Sequence, residues 1–264
     1  MSVIKKLMLL AMFAGLAVTT GYAMTQSKES ELTGAAWMGD TERIKSLIES
    51  GANPNYSDKS EDTPLQNAIY SNKVECIKLL IKLGANPDLI DKYGNTPLMS
   101  AIQRGNVEVV TALLDAGANP SQVDRSGMSP LVKAAYLDSH ECIPPLIKFG
   151  ANPNGIDDVG MPPLIEAVKH NNVESVKALR KAGANPCVTF DNGLTPLHYA
   201  FAVLNHKNGI AMIKLLISLG ADYKAKNSTG HTPLQVANKR NYTKQELIEI
   251  AKFIKEYEYT YNTL

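Results

Sequence analysis

The segment Asp91-Lys92-Tyr93-Gly94-Asn95-Thr96-Pro97-Leu98 opens a pattern that closes at Leu113-Leu114-Asp115-Ala116-Gly117-Ala118-Asn119-Pro120. Both ends of the pattern recur along the chain. Thr-Pro-Leu or a near variant begins at Thr63, Thr96, Ser129, Pro162, Thr195 and Thr232. Gly-Ala-Asn or Gly-Ala-Asp begins at Gly51, Gly84, Gly117, Gly150, Gly183 and Gly220. Both series advance by 33 residues four times and then by 37, which indicates a repeated unit with four residues inserted in the sixth copy.

The residue types at these positions predict two helices in each unit. Threonine at the start suits an N-cap, and the proline after it occupies a position whose N–H has no helical partner. Gln66 and Gln235, three residues after their threonines, predict a capping box at two of these starts. An outer helix follows with apolar residues three apart, such as Val110 and Leu113. The glycine after it suits the left-handed residue that ends a helix.

A period of 33 with Thr-Pro-Leu-x-x-Ala and then Leu-Leu-x-x-Gly-Ala resembles the ankyrin repeat family, from about Glu29 to Tyr257. The resemblance implies an all-α ankyrin-repeat solenoid of about seven stacked helix-turn-helix units with short β-turn or hairpin projections. A single unit cannot bury its own apolar face, so stacking makes the core continuous. We assign the repeat domain to residues 31–257, whose last unit is a C-terminal cap. A flexible segment at 24–30 and a tail at 258–264 flank it.

Residues 1–23 have the pattern of a secretory signal peptide. Lys5 and Lys6 precede an apolar run, Leu7–Val18, and Gly21-Tyr22-Ala23 offers small residues for cleavage after Ala23. The alternative is an uncleaved membrane anchor, but the run is short for the roughly 20 residues of a spanning helix. We therefore expect no membrane insertion after cleavage. The segment looks bacterial, which favours the periplasm, with release outside the cell as the alternative.

Composition excludes several other classes of function. The chain carries 27 Lys and Arg against 26 Asp and Glu, so no basic surface for nucleic acid is expected. Cys76 and Cys142 share a repeat position two units apart, roughly 20 Å at ordinary helix spacing, which is too far for a disulfide. The five histidines lack metal-ligand spacing. His198, in Thr195-Pro196-Leu197-His198, is expected to hydrogen-bond between units. We predict no enzyme activity and no cofactor.

Three irregularities interrupt the repeat. Glu61 stands where later units have a turn glycine, which predicts an altered turn. Pro144-Pro145 falls inside the predicted outer helix of the fourth unit, and Met161-Pro162-Pro163 removes the capping hydroxyl of the fifth. These prolines predict a weak or kinked joint over residues 140–165, which is either a hinge or tolerated drift. The insertion at 204–209 predicts a longer turn, and the last helix is predicted from Thr243 to about Glu256.

The resemblance implies that partners dock on the concave side, which is formed by the hairpin tips and the exposed ends of the inner helices. One inner-helix column in this register contains Trp37, Tyr70 and Tyr136, and the adjacent column contains Arg104. The tip column contains Lys59, Lys92 and Arg125, with Tyr93 beside it, and changes sign at Asp158 and Asp191. Tyrosine and tryptophan are favoured interface anchors. The alternative is that Trp37 covers the open end of the first unit and the tyrosines lean on neighbouring helices.

The sequence therefore predicts a non-enzymatic protein–protein interaction module, monomeric and exported to the periplasm, acting there as a scaffold or accessory factor. Two alternatives stay open. One is an immunity protein that neutralises a toxin enzyme, and the other is a secreted effector that binds host proteins. The repeats determine a shape and leave the identity of the partner unspecified.

Overall fold

The computed structural model describes residues 27–57, 62–204, 206–237 and 242–262, and within them the chain forms seven helix pairs. Each pair has an inner helix (odd-numbered below) and an outer helix (even-numbered). In chain order they are α1 Lys28–Met38, α2 Thr41–Glu49, α3 Pro64–Tyr70, α4 Val74–Lys82, α5 Pro97–Gln103, α6 Val107–Asp115, α7 Pro130–Tyr136, α8 Ile143–Lys148, α9 Pro163–Lys169, α10 Val173–Lys181, α11 Pro196–Val203, α12 His206–Ser218, α13 Pro233–Ala237 and α14 Lys244–Asn262. The all-α solenoid is confirmed.

The predicted caps determine where the helices begin and end. Oγ1 of Thr63 accepts a hydrogen bond from the Gln66 N–H at 3.1 Å, and Oγ1 of Thr96 accepts one from the Met99 N–H at 3.2 Å. The six glycines that end the outer-helix segments are left-handed, with φ between 91° and 100°. Pro162, at the start of the fifth unit, makes no side-chain cap, as expected. Each helix therefore has the length that its end signals set.

Only one of the two predicted capping boxes forms. Oε1 of Gln235 accepts the Thr232 N–H at 2.8 Å, but the side chain of Gln66 makes no hydrogen bond within the described chain. The structure contains a capping box that was not predicted, in which Nδ1 of His198 accepts the Thr195 N–H at 3.2 Å. The prediction for Gln66 was wrong because its buried amide makes no hydrogen bond to the Thr63 N–H, which a capping box requires.

Stacking produces one continuous core. Successive inner helices pack side by side, and one cluster of buried apolar residues runs from Leu32 in α1 to Ile250 in α14. Each unit contributes an alanine from its inner helix and the stripe of its outer helix, such as Ala101 with Val110 and Leu113. The buried residues of the described chain thus form one shared core, as expected for a solenoid.

The connections between units project as short fingers that are built on buried acids. Oδ1 of Asp91 accepts the N–H groups of Tyr93 and Asn95 at 2.9 and 2.8 Å. Asp124, Asp157 and Asn227 make the same turn in later fingers. Neighbouring fingers are joined by backbone hydrogen bonds, because the N–H of Arg125 donates to the Gly94 carbonyl at 2.8 Å and that of Asp158 to Gly127 at 2.9 Å.

The junction between the fifth and sixth units departs from this pattern. Phe190 replaces the buried acid and forms a β-bridge with Leu194, and Asp191 and Asn192 both have positive φ. Within the described chain, no backbone bond joins Gly160 to Asp191, where the earlier fingers are joined. The next link also shifts, because Ser228 donates to the Asn192 carbonyl where the pattern predicts Gly193. The row of fingers is therefore interrupted at this junction.

The prolines that predicted a weak or kinked joint at residues 140–165 lie where their cost to the helix is small. A 3₁₀ turn, His140–Cys142, replaces the first turn of the outer helix, so both prolines lie in the first turn of α8. Their missing N–H groups would have no helical partner there, and the expected loss of helix stability does not arise. The joint is also tied across units, since Nδ2 of Asn172 donates to the Ala135 carbonyl at 2.7 Å and Oγ of Ser175 to Oδ1 of Asp138 at 2.8 Å.

Other differences lie at element ends. The inserted residues of the sixth unit extend α12 to 13 residues, where α10 has 9, and do not form the longer turn that was predicted. α1 begins at Lys28 because Ser27 caps it, three residues before the predicted start of the repeat domain at residue 31. α14 continues to Asn262, past the predicted end near Glu256. Glu61 and its turn lie outside the described residues. No helix in the described part of the chain is both long and apolar enough to cross a bilayer.

Candidate protein-binding surface

The structure places the predicted inner-helix column at the C-terminal ends of the inner helices. Trp37, near the end of α1, is half-exposed, and Met38 beside it is 74% exposed. The exposed half of the Trp37 indole offers apolar area to a partner. Lys59 lies outside the described residues, so its position is not assigned.

Tyr70, Tyr93 and Arg104 meet at the Asp91 finger, which joins the second and third units. The Arg104 guanidinium lies 5.8 Å from the centroid of the Tyr70 ring, and its Nη2 donates to the Tyr70 carbonyl at 3.0 Å. Both tyrosines and Arg104, with Asn95, Ser100 and Gln103, line a cavity of about 510 Å³. Partial burial, and then the nearby carboxylates of Asp91 and Asp62, raise the pKa of Tyr70. Its hydroxyl therefore stays protonated and able to donate a hydrogen bond at neutral pH.

The cationic tips are held in place by neighbouring fingers. Nζ of Lys92 lies 3.7 Å from the Asp62 carboxylate and 5.1 Å from the centroid of the Tyr93 ring, which is 71% exposed. The exposed Arg125 donates from Nη1 to the Lys92 carbonyl at 3.3 Å. Lys92 therefore borders an exposed aromatic ring, and the Arg125 side chain reaches Lys92 from the next finger.

A second group of predicted residues lies around Tyr136, which is 41% exposed. The ring of His170 meets that of Tyr136 edge to face at 4.6 Å between centroids. Glu166 is buried beneath them, and its carboxylate lies 3.0 Å from Nζ of Lys169 and 3.4 Å from Nδ1 of His170. The edge-to-face pair and the buried carboxylate hold the Tyr136 ring in one orientation while it stays accessible.

The structure therefore brings Tyr70, Tyr93, Arg104, Lys92 and Arg125 together over the second to fourth units. It places Trp37 and Tyr136 at either end of that group. It does not form one compact pocket from all of them. A surface of this kind suits an extended contact with a macromolecule.

The described part of the chain shows no cluster of side chains suited to metal binding or to nucleophilic catalysis. No group of three His, Cys, Asp or Glu side chains there could hold a metal ion. Nε2 of His198 lies 3.0 Å from the His231 carbonyl of the next unit, as predicted for a structural residue. Cys76, Cys142 and Cys187 form no disulfide, and burial raises the pKa of the Cys142 thiol to about 11. Such a thiol is a poor nucleophile.

Comparison with known families agrees with this geometry. A family model described as ankyrin repeats in three copies matches residues 32–124 and 117–190, and a single ankyrin repeat model matches residues 192–228. The chain belongs to the ankyrin repeat family. Ankyrin repeat domains generally mediate protein–protein interactions, and no curated protein sequence matches the chain.

Two solved structures similar to this ankyrin solenoid cover most of it. The ankyrin repeat domain of Bcl-3, a member of the IkappaB family, is 26% identical with a TM-score of 0.74 and covers 84% of this chain and 97% of its own. The ankyrin repeat domain of human ASB11 is 29% identical with a TM-score of 0.65, covering 83% of this chain and 96% of its own. Both similarities extend over the stack of units described above.

The exposed apolar residues of this ankyrin solenoid concentrate on its concave side. The large hydrophobic side chains that are exposed on the fingers and at the C-terminal ends of the inner helices are Trp37, Met38, Ile90, Tyr93, Tyr136, Leu137, Ile156, Val159 and Val203. Among the described residues, the remaining two exposed large hydrophobics are Ile248 and Tyr259 of α14. Sequence reasoning missed Ile90 and Ile156. Each directly precedes a buried finger acid, Asp91 or Asp157, and that alternation could have indicated an outward-facing side chain.

Proposed function

We propose that this protein binds a protein partner through its concave side and acts as a scaffold or accessory factor in the periplasm. The supporting observation is the concentration of exposed apolar side chains on that side. Soluble monomers seldom expose contiguous apolar surface without a binding role, and aromatic side chains beside arginine are common binding hot spots. The outer face presents mainly charged residues such as Lys45, Glu75 and Glu108.

The chemistry of the surface suggests what the partner presents. Lys92 and Arg125 favour an acidic segment over the third and fourth units, and Asp158 disfavours its continuation beyond them. Tyr70, Tyr93 and Tyr136 favour apolar or aromatic side chains beside those acids. A partner that places an acidic, partly apolar segment across these fingers fits both features.

Site-specific photo-crosslinking in cells of the source organism tests the binding surface. A photoreactive phenylalanine analogue is placed at Tyr70 or Tyr136 of the full-length chain, and at the exposed outer-face residue Lys45 as the matched control. A product formed from the tyrosine positions and not from Lys45 would support the proposal and identify the partner. Products formed from Lys45 alone would move the binding site to the outer face and overturn it.

Export requires its own test, because residues 1–26 lie outside the described structure. We propose cleavage after Ala23, supported by the sequence pattern of residues 1–23. Alkaline phosphatase fused after residue 30 should be active in a Gram-negative cell, and mass spectrometry should find a chain beginning at Met24. An inactive fusion would contradict export, and activity in the culture medium would favour secretion.

The identity of the crosslinked protein separates the remaining roles. An envelope protein of the same cell supports a scaffold. A toxin enzyme, bound tightly and inhibited, supports an immunity role, and a host protein supports an effector. We also propose that the free chain is monomeric, which light scattering of the purified protein checks directly.

A further inference from the structure

A groove of about 740 Å³ crosses the outer face, far from the concave side, between α8 of the fourth unit and α10 of the fifth. Its floor is apolar and consists of Pro144 and Ile147 from α8 with Ala178 and Ala182 from α10. Pro144 is exposed, and the other three are partly exposed. The groove is the site of the proline pair that the sequence singled out, and the proposed function does not use it.

The repeat register explains why the groove is here. Pro144 stands where four other units have a lysine, at Lys45, Lys78, Lys177 and Lys214. Ala178 and Ala182 stand where the second unit has Leu79 and Leu83 and the sixth has Leu215 and Leu219. Two small side chains on successive turns of α10 therefore open the cleft, and a short ring in place of a long lysine leaves it uncovered.

The junction between α4 and α6 provides an internal comparison. Ala112 and Ala116 there repeat the small residues of α10, but Lys78 occupies the position of Pro144. Two separate cavities of about 380 and 420 Å³ result, and both are lined by Lys78 and Asp115. With proline at this position the cleft is one continuous groove, and with lysine it is divided into two smaller cavities.

The charges around the groove are separated along its length. Glu141 and Glu174 lie at the end where α8 and α10 begin, and Lys148 and Lys181 lie at the end where these helices finish. Lys177, between them, is paired with Glu174 at 2.8 Å. A ligand that matches this surface is positive at the first end, negative at the second and apolar between them.

We propose that this groove binds one amphipathic α-helix of a partner protein, lying parallel to α10. The distance from Glu174 to Ala182 is about 12 Å along a helix, which equals about two helical turns. A helix fits because ridges of side chains pack into the groove between two neighbouring helices, whereas no free strand edge lies here. The positive N-terminal end of its dipole meets Glu141 and Glu174, and its C-terminal end meets Lys148 and Lys181.

A displayed library of 14-residue amphipathic peptides tests this proposal. The peptides carry apolar residues at i, i+3, i+4 and i+7 with all other positions random, and they are selected on the immobilised full chain. We expect peptides that have basic residues in the first turn and acidic residues in the last. Synthetic copies should gain helical circular dichroism when the protein is added.

Groove variants decide where these peptides bind. Pro144→Lys and Ala178→Leu each install a residue that other units already hold, so the fold is expected to survive, and circular dichroism checks it. Each should weaken the selected peptides at least about tenfold, whereas Thr111→Lys in the same column and Tyr136→Ala on the concave side should not. Glu141→Lys with Glu174→Lys should select peptides with acidic first turns.

Three outcomes would overturn the proposal. The first is a selection in which no peptide depends on Pro144 or Ala178. The second is a set of groove-dependent peptides without the expected order of charges. The third is bound peptides that stay non-helical. Since Tyr136→Ala reports separately on the concave side, failure here leaves the proposed function untouched, and loss of that function leaves the groove intact.

Discussion

Nε2 of His198 lies 3.0 Å from the carbonyl oxygen of His231, so the imidazole of the sixth unit binds the finger of the seventh. The Nδ1 atom of the same ring accepts the Thr195 N–H, which requires the neutral ring with its proton on Nε2. One side chain therefore caps its own helix and ties two units together.

This arrangement predicts a loss of stability in mild acid. Burial lowers the pKa of His198, and the bond to His231 opposes this only in part. The unfolded chain, with a pKa near 6.5, then binds more protons than the folded chain below that pH. The stabilisation is complete above pH ~6.5 and decreases as pH falls towards the folded pKa. Urea unfolding at pH 7.5 and 5.5 measures the difference.

His198→Met separates this effect from other titrations, because Met99 fills the same repeat position in the third unit. The variant leaves the Thr195 N–H and the His231 carbonyl without this partner, so we expect a loss of about 1–3 kcal/mol at pH 7.5. Its stability should vary less with pH than that of the parent. An equal pH dependence in both proteins would assign the titration to another group.

Gln66→Met should stabilise the protein. Gln66 is fully buried, and neither polar atom of its amide has a partner within the described chain. Removing an unpaired buried amide while keeping similar volume should raise the free energy of unfolding by about 1 kcal/mol. The reciprocal change, Met99→Gln, should lower it. Denaturant titration of both variants checks the sign, and a destabilised Gln66→Met would indicate that the amide has a partner in solution.

Tyr242→Phe should loosen the C-terminal helix pair. The Tyr242 hydroxyl lies 3.1 Å from the Leu204 carbonyl and 3.2 Å from that of Ala200, two acceptors at the end of α11. Loss of this hydroxyl should reduce stability by about 1 kcal/mol, and Tyr93→Phe on the exposed finger should change little. Burial raises the pKa of Tyr242 to about 12. In an alkaline absorbance titration, the variant should therefore lack the latest-ionising phenol.

Gly94→Ala and Gly117→Ala compare the cost of a methyl group at two glycines. Gly94 lies in a finger, and Gly117 follows the outer helix of the third unit. Both glycines have positive φ, 85° and 97°, so both variants strain the backbone by about 1 kcal/mol. A Cβ at Gly94 would lie 2.5 Å from Cβ of Arg125, whereas one at Gly117 meets nothing within 4 Å. Gly94→Ala should therefore be the more destabilising in thermal unfolding. Equal losses would mean that the finger moves aside without penalty.

Charge reversal of the tips tests the electrostatic part of the proposed function once a partner is identified. Lys59→Glu, Lys92→Glu and Arg125→Glu together should slow association at low salt, with a smaller effect at high salt. Lys45→Glu on the outer face is the matched control. Surface plasmon resonance at two salt concentrations measures both rates. An association rate unaffected by the triple change would remove the acidic segment from the description of the partner.

The fold could be predicted because its signals are local and repeated. Thr96, Pro97 and Gly117 each determine where one helix begins or ends. Six copies of these start and end signals, in the same register, leave little choice of architecture. Features that depend on contact between units could not be predicted in this way. The 3₁₀ turn at His140 places Pro144 in the first turn of α8, where its missing N–H has no helical partner. The extension of α12 depends on how the inserted residues pack. The sequence of a single unit reveals neither feature.

The candidate surface was predicted only in part for the same reason. The repeat register placed Tyr70 and Arg104 in adjacent columns, but it did not predict their contact, which joins two neighbouring units. The exposure of Ile90 and Ile156 was not predicted, because an apolar residue in a turn is usually assigned to the core. In these turns the buried side chain is the acid that follows, Asp91 or Asp157. Gln66 was predicted to complete a capping box because its spacing was right, although its buried amide makes no hydrogen bond within the described chain.

The interrupted row of fingers at Phe190 has a consequence for how the solenoid opens. Stability in a stacked array is shared through nearest-neighbour interfaces, so the loss of a backbone bond between fingers at one interface favours a boundary between cooperative blocks there. Backbone hydrogen bonds join the Asp91, Asp124 and Asp157 fingers in one row, which ends at Gly160. The fingers of the last two units are joined to each other by the bond from Ser228 to Asn192. Amide protons beyond Asn192 should therefore exchange together and earlier than those of the central units, and the C-terminal pair should melt as a block while the surface around Tyr70 and Arg104 stays folded.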